Sequence, residues 1–243
     1  MKYDNYIFDF YGTLVDIKTN EKKASLWKKA AAILTDMGFP YDAKTLKRDY
    51  LQFAADETKA IETNHMKPEI ELRKVFRQLM SPWCPDEMID QFAITFRVLS
   101  RDYITLYEDV PAIFNEIHNN HGKVFLLSNA QSCFTIPEIK AAGIYDMFDD
   151  IFISSDMECA KPDPDFINML IRKHKLDIHR SIMIGNDYTS DVAIANAVGM
   201  DSLYLQTATS PEAIPACEIK ATYTDMKNGE PTLALFRDYF DLI

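Results

Sequence analysis

Residues 6–14 read Tyr6-Ile7-Phe8-Asp9-Phe10-Tyr11-Gly12-Thr13-Leu14. The apolar run Tyr6 to Phe8 predicts a buried strand. It stops at Asp9, and a turn at Gly12 leads on to Thr13. An ionised Asp cannot join a buried sheet, because an unpaired buried charge costs many kcal/mol. Asp9 is therefore expected at the strand's exit, facing a cleft at the carboxyl edge of the sheet, where open α/β sheets bind ligands. Taken alone, the stretch fits equally well a strand that ends at a solvated carboxylate. The rest of the chain decides between them.

From about residue 104 onward strand and helix alternate. Pro111 opens a helix through Ile113, Phe114 and Ile117 that stops at Gly122, and Lys123 to Leu127 is a short buried strand. Thr135-x-x-Glu138 reads as a capping box for a helix ending at Gly143. Ile151 to Ile153 is the next strand, and Asp163 with Pro164 starts a helix through Phe166 and Leu170. Ser181 to Ile184 is a strand, 190–198 a helix, and Ser202 to Leu205 another strand. Repeated βα units of this length predict a parallel sheet covered on both faces. Residues 17–103 read differently. Trp27, Ala30, Ala31, Leu34 and Met37 recur at helical spacing, as do Leu72, Val75, Phe76 and Leu79, and then Met88, Ile89, Phe92, Phe96 and Leu99. Four helices without a clear strand suggest a bundle inserted after the first strand. The expected organisation is a core of 1–16 and 104–243 with a helical domain of 17–103.

The chain has 243 residues, 47% hydrophobic and 26% charged, with a formal net charge of −11. Such a surface repels nucleic acid and anionic membranes, so neither is an expected partner. A site for an anionic substrate must then carry its own cations. No long apolar run predicts a membrane span, and the N-terminal residues lack the order of a secretory signal. Cys84, Cys133, Cys159 and Cys217 are scattered, which indicates neither a zinc site nor a disulfide framework and suits a reducing cytoplasm. Cys133, close to a candidate site segment, is read as an inert small residue because no His stands in a partner position. Arg73, Lys74 and Arg77 form a basic stretch that could attract a phosphate ester, although a solvated helix face is the simpler reading.

Three further strand ends carry polar groups. Ser128-Asn129 follows Leu127, Lys161-Pro162-Asp163-Pro164 follows the strand at 151–153, and Gly185-Asn186-Asp187 with Asp191 follows Ile184. Individually these are a common turn, a surface cation and helix-capping carboxylates. Together they place charge-complementary groups at one sheet edge. A carboxylate can act as a nucleophile through a covalent intermediate, and Asp9 is the candidate. Asp9 and Asp187 with a backbone carbonyl would suit Mg²⁺, which would offset repulsion between an anionic nucleophile and a phosphoryl group. Ser128 and Lys161 would bind the remaining phosphoryl oxygens.

These segments resemble, in order, the four motifs of the haloacid dehalogenase-like hydrolase superfamily: Asp9 to Leu14, Ser128-Asn129, Lys161-Pro162, and Gly185 to Asp191. The resemblance spans nearly the whole chain. It implies a Rossmann-like α/β core with a parallel sheet and an inserted small helical cap that closes over the site. It implies catalysis by Asp9, Thr13, Ser128 and Lys161, and substrate binding by Tyr11, Gly12, Ser128, Asn129 and Lys161. It implies Mg²⁺ held by Asp9, the backbone carbonyl of Tyr11 and Asp187, with Asn186 and Asp191 behind them. The implied substrate is a small phosphorylated metabolite, and the implied assembly a monomer or homodimer.

The departure is Tyr11, where family phosphatases usually have a second Asp that serves the leaving group and the attacking water. Tyrosine, with a reference pKa near 10, is a poor general base at neutral pH. Tyr here is similar to the family's 2-haloacid dehalogenases, which gives an alternative activity. Against it, Asp187 stands where those enzymes typically carry Ser, Ile167 stands where they carry a site Tyr, and Pro40 stands near their expected Arg, the nearest Arg being Arg48. A binding protein that has lost turnover is the third reading. Mg²⁺-dependent phosphate release is the expectation, with leaving groups of low pKa favoured.

Overall fold

The computed structural model describes residues 2–61, 65–81, 83–207, 209–210 and 221–225, the last of these as backbone. Cys217 and Gly229 lie outside the described residues. The chain runs β1 (Asn5–Phe8), β2 (Val15–Thr19), α1 (Ala24–Asp36), α2 (Ala43–Ala60), α3 (Leu72–Met80) and α4 (Asp86–Ser100). It continues with β3 (Arg101–Leu106), α5 (Val110–Asn119), β4 (Lys123–Ser128), α6 (Ser132–Ala141), β5 (Asp150–Ile153), α7 (Ser154–Met157) and α8 (Pro164–His174). β6 (Ser181–Gly185), α9 (Ala193–Val198), β7 (Asp201–Gln206) and β8 (Ala221–Asp225) follow.

Six strands form one parallel sheet in the order β5-β4-β1-β6-β7-β8. β1 lies in its interior, with Phe8 in register with Leu126 of β4 and Ile184 of β6. Alternation along the strands sends side chains to two buried faces. Tyr6 and Phe8 join Val124, Leu126, Ile182 and Ile184 under Ile113, Phe114 and Ile117 of α5. Ile7, Phe125, Leu127 and Met183 pack on the other face against Phe166, Ile167 and Leu170 of α8 and Ile194 of α9. Burial on both faces is why these strands read as continuous apolar runs. Among the described residues no helix is long and apolar enough to cross a membrane.

α1–α4 bury a separate core. Phe76 sits at its centre, with ring centroids 5.5 Å from Phe92, 5.4 Å from Phe96 and 6.1 Å from Phe134 of α6. The stretch expected to lack strands does contain β2, which pairs antiparallel with β3. This two-stranded ribbon carries the chain into and out of the helical unit side by side. It spans both expected junctions, after residue 16 and after 103.

One sequence reading is corrected here. Thr135 and Glu138 do not start a helix, because α6 begins at Ser132 and both residues are interior and buried. The first amides of this turn are satisfied across the fold: Ala130 N donates to Ser154 Oγ at 2.8 Å and Ser132 N to Ser155 Oγ at 2.9 Å. Those bonds replace a local cap, which frees Thr135 and Glu138 for tertiary contacts. Arg73, Lys74 and Arg77 lie on a partly exposed helix face whose charges are paired. Arg73 grips Asp90 with two bonds of 2.6 and 3.0 Å, Arg77 pairs with Asp86, and Lys74 pairs with Glu158 at 3.3 Å.

Candidate active site

Three neighbouring strands deliver polar groups to one edge. β1 ends at Phe8 and hands over to Asp9; β4 ends in Ser128; β6 ends in Gly185 before Asn186 and Asp187. A cavity of about 220 Å³ opens there, with Asp9, Tyr11, Gly12, Asn129, Lys161, Asn186, Asp187 and Asp191 in its wall. Asp9 and Asp187 therefore share one cavity. Ile17, Ser190 and Thr209, which carry no motif signal, complete it.

Lys161 organises the base of the site. Its ammonium is buried and donates three bonds of 2.7 Å, to Asp9 Oδ1, to the Leu127 carbonyl and to Asp191 Oδ1. Every proton of the group has an acceptor. Burial works against its charge, but Asp191 and Asp9 outweigh burial and hold its pKa above the ordinary value. The backbone of Lys161 is clamped as well: its N–H donates to Asn129 Oδ1 at 2.7 Å, and Asn129 Nδ2 donates to its carbonyl at 2.9 Å. The Asn129 amide, expected to meet substrate, is thus committed to placing Lys161.

Asp9 accepts from Ser128 Oγ at 3.0 Å as well as from Lys161, both at Oδ1. Oδ2 is the less encumbered oxygen, met by Thr13 Oγ1 at a long 3.5 Å. Thr13 is fully buried and reaches Asn186 Oδ1 at 3.3 Å. It lies behind the cavity wall rather than in it, as does Ser128. Asn186 also donates to Thr207 and Thr209, at 3.2 and 2.9 Å, so its amide ties the loop after β6 to the loop after β7.

Two glycines make this closeness possible. Gly12 has φ +80°, and a Cβ there would collide with the Asn186 and Thr209 side chains. A Cβ on Gly185 would occupy the place of the Asp191 carboxylate. Asp191 in turn accepts from the Asp187 amide at 2.9 Å and from Lys161, so one buried carboxylate positions both groups. Burial pushes the Asp191 carboxyl up to about 7, with Lys161 pulling it down and Asp9 pushing it up. Asp187 spends one oxygen, Oδ1, on Thr189 N and Oγ1, at 2.8 and 2.7 Å.

Among the described residues, Asp9, Asp187 and Asp191 line this cavity with one ammonium, that of Lys161. Hard carboxylate oxygens in excess over cationic charge fit an oxygen-liganded divalent cation such as Mg²⁺. Asp9 and Asp187 are the side chains that could hold it, and Tyr11 lies in the same wall.

The Tyr11 ring edge turns away from this chemistry. Its hydroxyl donates to Glu138 Oε2 at 2.6 Å and lies 2.9 Å from Thr135 Oγ1. Glu138 also receives Arg97 at 2.9 Å and Arg101 at 2.8 Å, and the Arg97 guanidinium sits 5.2 Å from the Tyr11 ring centre. Burial, then the Glu138 charge, raises the Tyr11 pKa well above that of a free phenol. Motif residue Tyr11 thus docks the first loop onto α4, β3 and α6. Its partners Thr135, Glu138 and Arg97, and the Arg101 that joins Glu138, were missed, since Thr135 and Glu138 read as a cap and no local signal marks Arg97 or Arg101.

Replacing Tyr11 by Phe is expected to destabilise the protein by about 1–2 kcal/mol, from a buried acceptor left short of a bond. Turnover should stay within about threefold, since the hydroxyl is not aimed at the cavity. Denaturant midpoints and steady-state rates on the same preparation check both halves.

Cys133 is no nucleophile. Burial pushes its thiol up to about 12, which keeps it protonated and unreactive at neutral pH.

A carboxylate and lysine cluster at the carboxyl edge of a parallel sheet is the arrangement of an α/β hydrolytic enzyme. A model of the haloacid dehalogenase-like hydrolase family matches residues 6–205, and the chain belongs to that family. The phosphoglycolate phosphatase of Vibrio cholerae is 29% identical over 195 residues, spanning 78% of this chain and 79% of that protein. Among solved structures, a HAD phosphatase from Thermococcus onnurineus superposes with a TM-score of 0.54 at 14% identity, covering 85% of this chain and 92% of that one. A 2-haloacid dehalogenase from Pseudomonas syringae gives 0.52 at 20% identity, covering 83% and 86%. These two likenesses are of fold, and their differing names leave the reaction to the site.

Proposed function

We propose that this protein is a Mg²⁺-dependent phosphohydrolase that acts on a small phosphorylated metabolite through an aspartyl-phosphate on Asp9. The observation that carries the reading is Asp9 at the end of β1, its Oδ1 held by Ser128 and Lys161 and its Oδ2 nearly unencumbered, in one cavity with Asp187. The name of the Vibrio cholerae relative supports a phosphate monoester as substrate class. Asp9 attacks phosphorus, the ester P–O bond breaks, and water then cleaves the acyl phosphate to restore the carboxylate. Lys161, in the cavity wall, transfers its hydrogen bond from Asp9 to a phosphoryl oxygen, while Ser128, behind the wall, holds Asp9 Oδ1. Asn129 and Asp191 keep Lys161 in place. When bound by Asp9 and Asp187, Mg²⁺ offsets the charge between nucleophile and phosphoryl group. The α1–α4 unit of residues 17–103 acts as a cap, with Ile17 of the ribbon beside the cavity and selectivity set where the cap meets the core.

The cavity lies below the volumes of roughly 300–1,000 Å³ that suit larger ligands, which favours a compact substrate. The Tyr11 proton is directed at Glu138, so no tyrosine general acid serves the leaving group. Acyl and aryl phosphates, whose leaving groups need no protonation, are the preferred esters. Across a series of aryl phosphates kcat/KM should fall steeply as leaving-group pKa rises, with alkyl phosphates at least about 10²-fold slower.

The direct test is phosphate release from 4-nitrophenyl phosphate with Mg²⁺, with EDTA, and with Mg²⁺ restored. Chelation is expected to cut the rate by at least about 10²-fold, reversibly. Full activity in EDTA would overturn the metal requirement. The Tyr11 position also motivates a dehalogenase reading, which predicts halide release from 2-chloropropionate in EDTA. Among the described residues, three carboxylates against one ammonium argue against it, because a substrate carboxylate would meet net negative charge.

A further inference from the structure

A second cluster of metal-ligating side chains lies apart from the catalytic cavity, where the segment joining α2 to α3 crosses the core. There the backbone of residues 67–69 runs along 158–160: Ala160 N donates to the Lys67 carbonyl at 2.9 Å, Glu69 N to the Glu158 carbonyl at 3.2 Å, and Pro68 bridges Cys159. His65 and Asp163, the N-cap of α8, sit together at one end of this crossing. The ligand atoms of His65, Cys159 and Asp163 all lie within 4.8 Å of one another. Cys159 and Asp163 are buried, and His65 is partly covered.

We propose that His65, Cys159 and Asp163 form a structural site for a borderline-soft divalent cation, Zn²⁺, that fastens the helical unit to the core. Three observations carry it. The donor set is one imidazole nitrogen, one sulfur and one carboxylate oxygen, the mixture Zn²⁺ takes in tetrahedral sites. Zn–N and Zn–O bonds of about 2.0–2.2 Å place such ligand atoms roughly 3.3–3.6 Å apart. His65 Nδ1 lies 3.8 Å from Asp163 Oδ2, close to that value. Asp163, moreover, is a buried carboxylate whose ion-pair partner among the described residues is His65; its other bonds are backbone amides of Met66, Lys67 and Asp165. The Cys159 thiol, which carries a proton, lies within 4.8 Å of the same carboxylate. On binding, that proton leaves to solvent and the cation takes its place between sulfur and oxygen. The site is chemically distinct from the all-oxygen set at Asp9 and Asp187, which suits a harder cation. It also lies two residues on either side of Lys161, so occupancy stiffens the stretch that carries the catalytic ammonium.

The test is Co²⁺ titration of the full chain after removal of bound metal by a chelator. A near-ultraviolet thiolate-to-cobalt charge-transfer band should rise to one equivalent and be quenched by Zn²⁺. Cys159→Ser should abolish the band, whereas Cys133→Ser and Asp9→Asn should retain it. His65→Ala, a change at a partly exposed side chain that leaves the core untouched, should weaken the affinity read from the band by at least about tenfold. No band at saturating Co²⁺, or a band that survives Cys159→Ser, overturns the site. If Cys159→Ser does not fold, unchanged affinity in His65→Ala overturns it instead. None of these readings depends on phosphate turnover, so the site stands or falls separately from the proposed activity.

Discussion

The Asp9→Asn variant is expected to release phosphate from an aryl phosphate at least about 10⁴-fold more slowly than the native protein, while folding normally. An amide has the shape of the carboxylate but little nucleophilicity. Its oxygen can still accept from Lys161 and Ser128, which hold Asp9 Oδ1 at 2.7 and 3.0 Å. The substitution also removes a negative charge that pushes up the neighbouring Asp191. Thermal unfolding should therefore be unchanged or slightly improved. Mass spectrometry of the native protein quenched in acid during turnover should find one added phosphoryl group, and the variant none. Turnover within tenfold of native, in a preparation free of contaminating phosphatase, would remove the covalent mechanism.

Lys161→Met is expected to lose both activity and stability, the latter by about 3–5 kcal/mol well above neutral pH. Methionine can fill the space of the aliphatic stem, so the cost is electrostatic. Three acceptors lose their donor, and Asp9 and Asp191 are left facing each other without a cation. The pH dependence follows from Asp191. Burial already pushes it up to about 7 in the folded protein, and Lys161 opposes that rise. Without Lys161 the folded protein holds the carboxyl proton more tightly still, while the unfolded chain releases it near pH 4. Where the folded state binds more protons than the unfolded one, stability falls as pH rises. Because native Asp191 also holds its proton up to about pH 7, the deficit should be smallest below neutrality and grow as pH rises above it. Denaturant midpoints across that range read it directly, and a deficit independent of pH would mean that packing, not charge, sets the cost.

The contrast between these two variants separates what was legible in the sequence from what was not. Asp9, Ser128, Lys161 and Asp187 could be picked out because strands or loops of apolar character break off at each, and a parallel sheet gathers the ends of its strands at one edge. Their division of labour was less legible. Asn129 and Thr13 read as groups for substrate or catalysis, yet Asn129 clamps the Lys161 backbone and Thr13 lies behind the wall. Motif spacing records which residues are present at a turn, not which way each side chain faces. Thr135 and Glu138 were misread because three-residue spacing is shared by a capping box and by two neighbours on one helix face. Arg97 and Arg101, which complete the Tyr11 cluster, come from the helical unit and carry no local signature.

By itself the amino-acid sequence determined the alternation of strand and helix, the positions where apolar runs end in charge, and the separate helical stretch between them. Those features are local, set by side-chain periodicity over a few residues. Only the tertiary structure decided that the Tyr11 hydroxyl bonds Glu138, that Asp191 bonds both Lys161 and the Asp187 amide, and that His65 meets Cys159 and Asp163. Each of those contacts joins segments remote in sequence or depends on side-chain direction, and the chain has to close around its core before either is set.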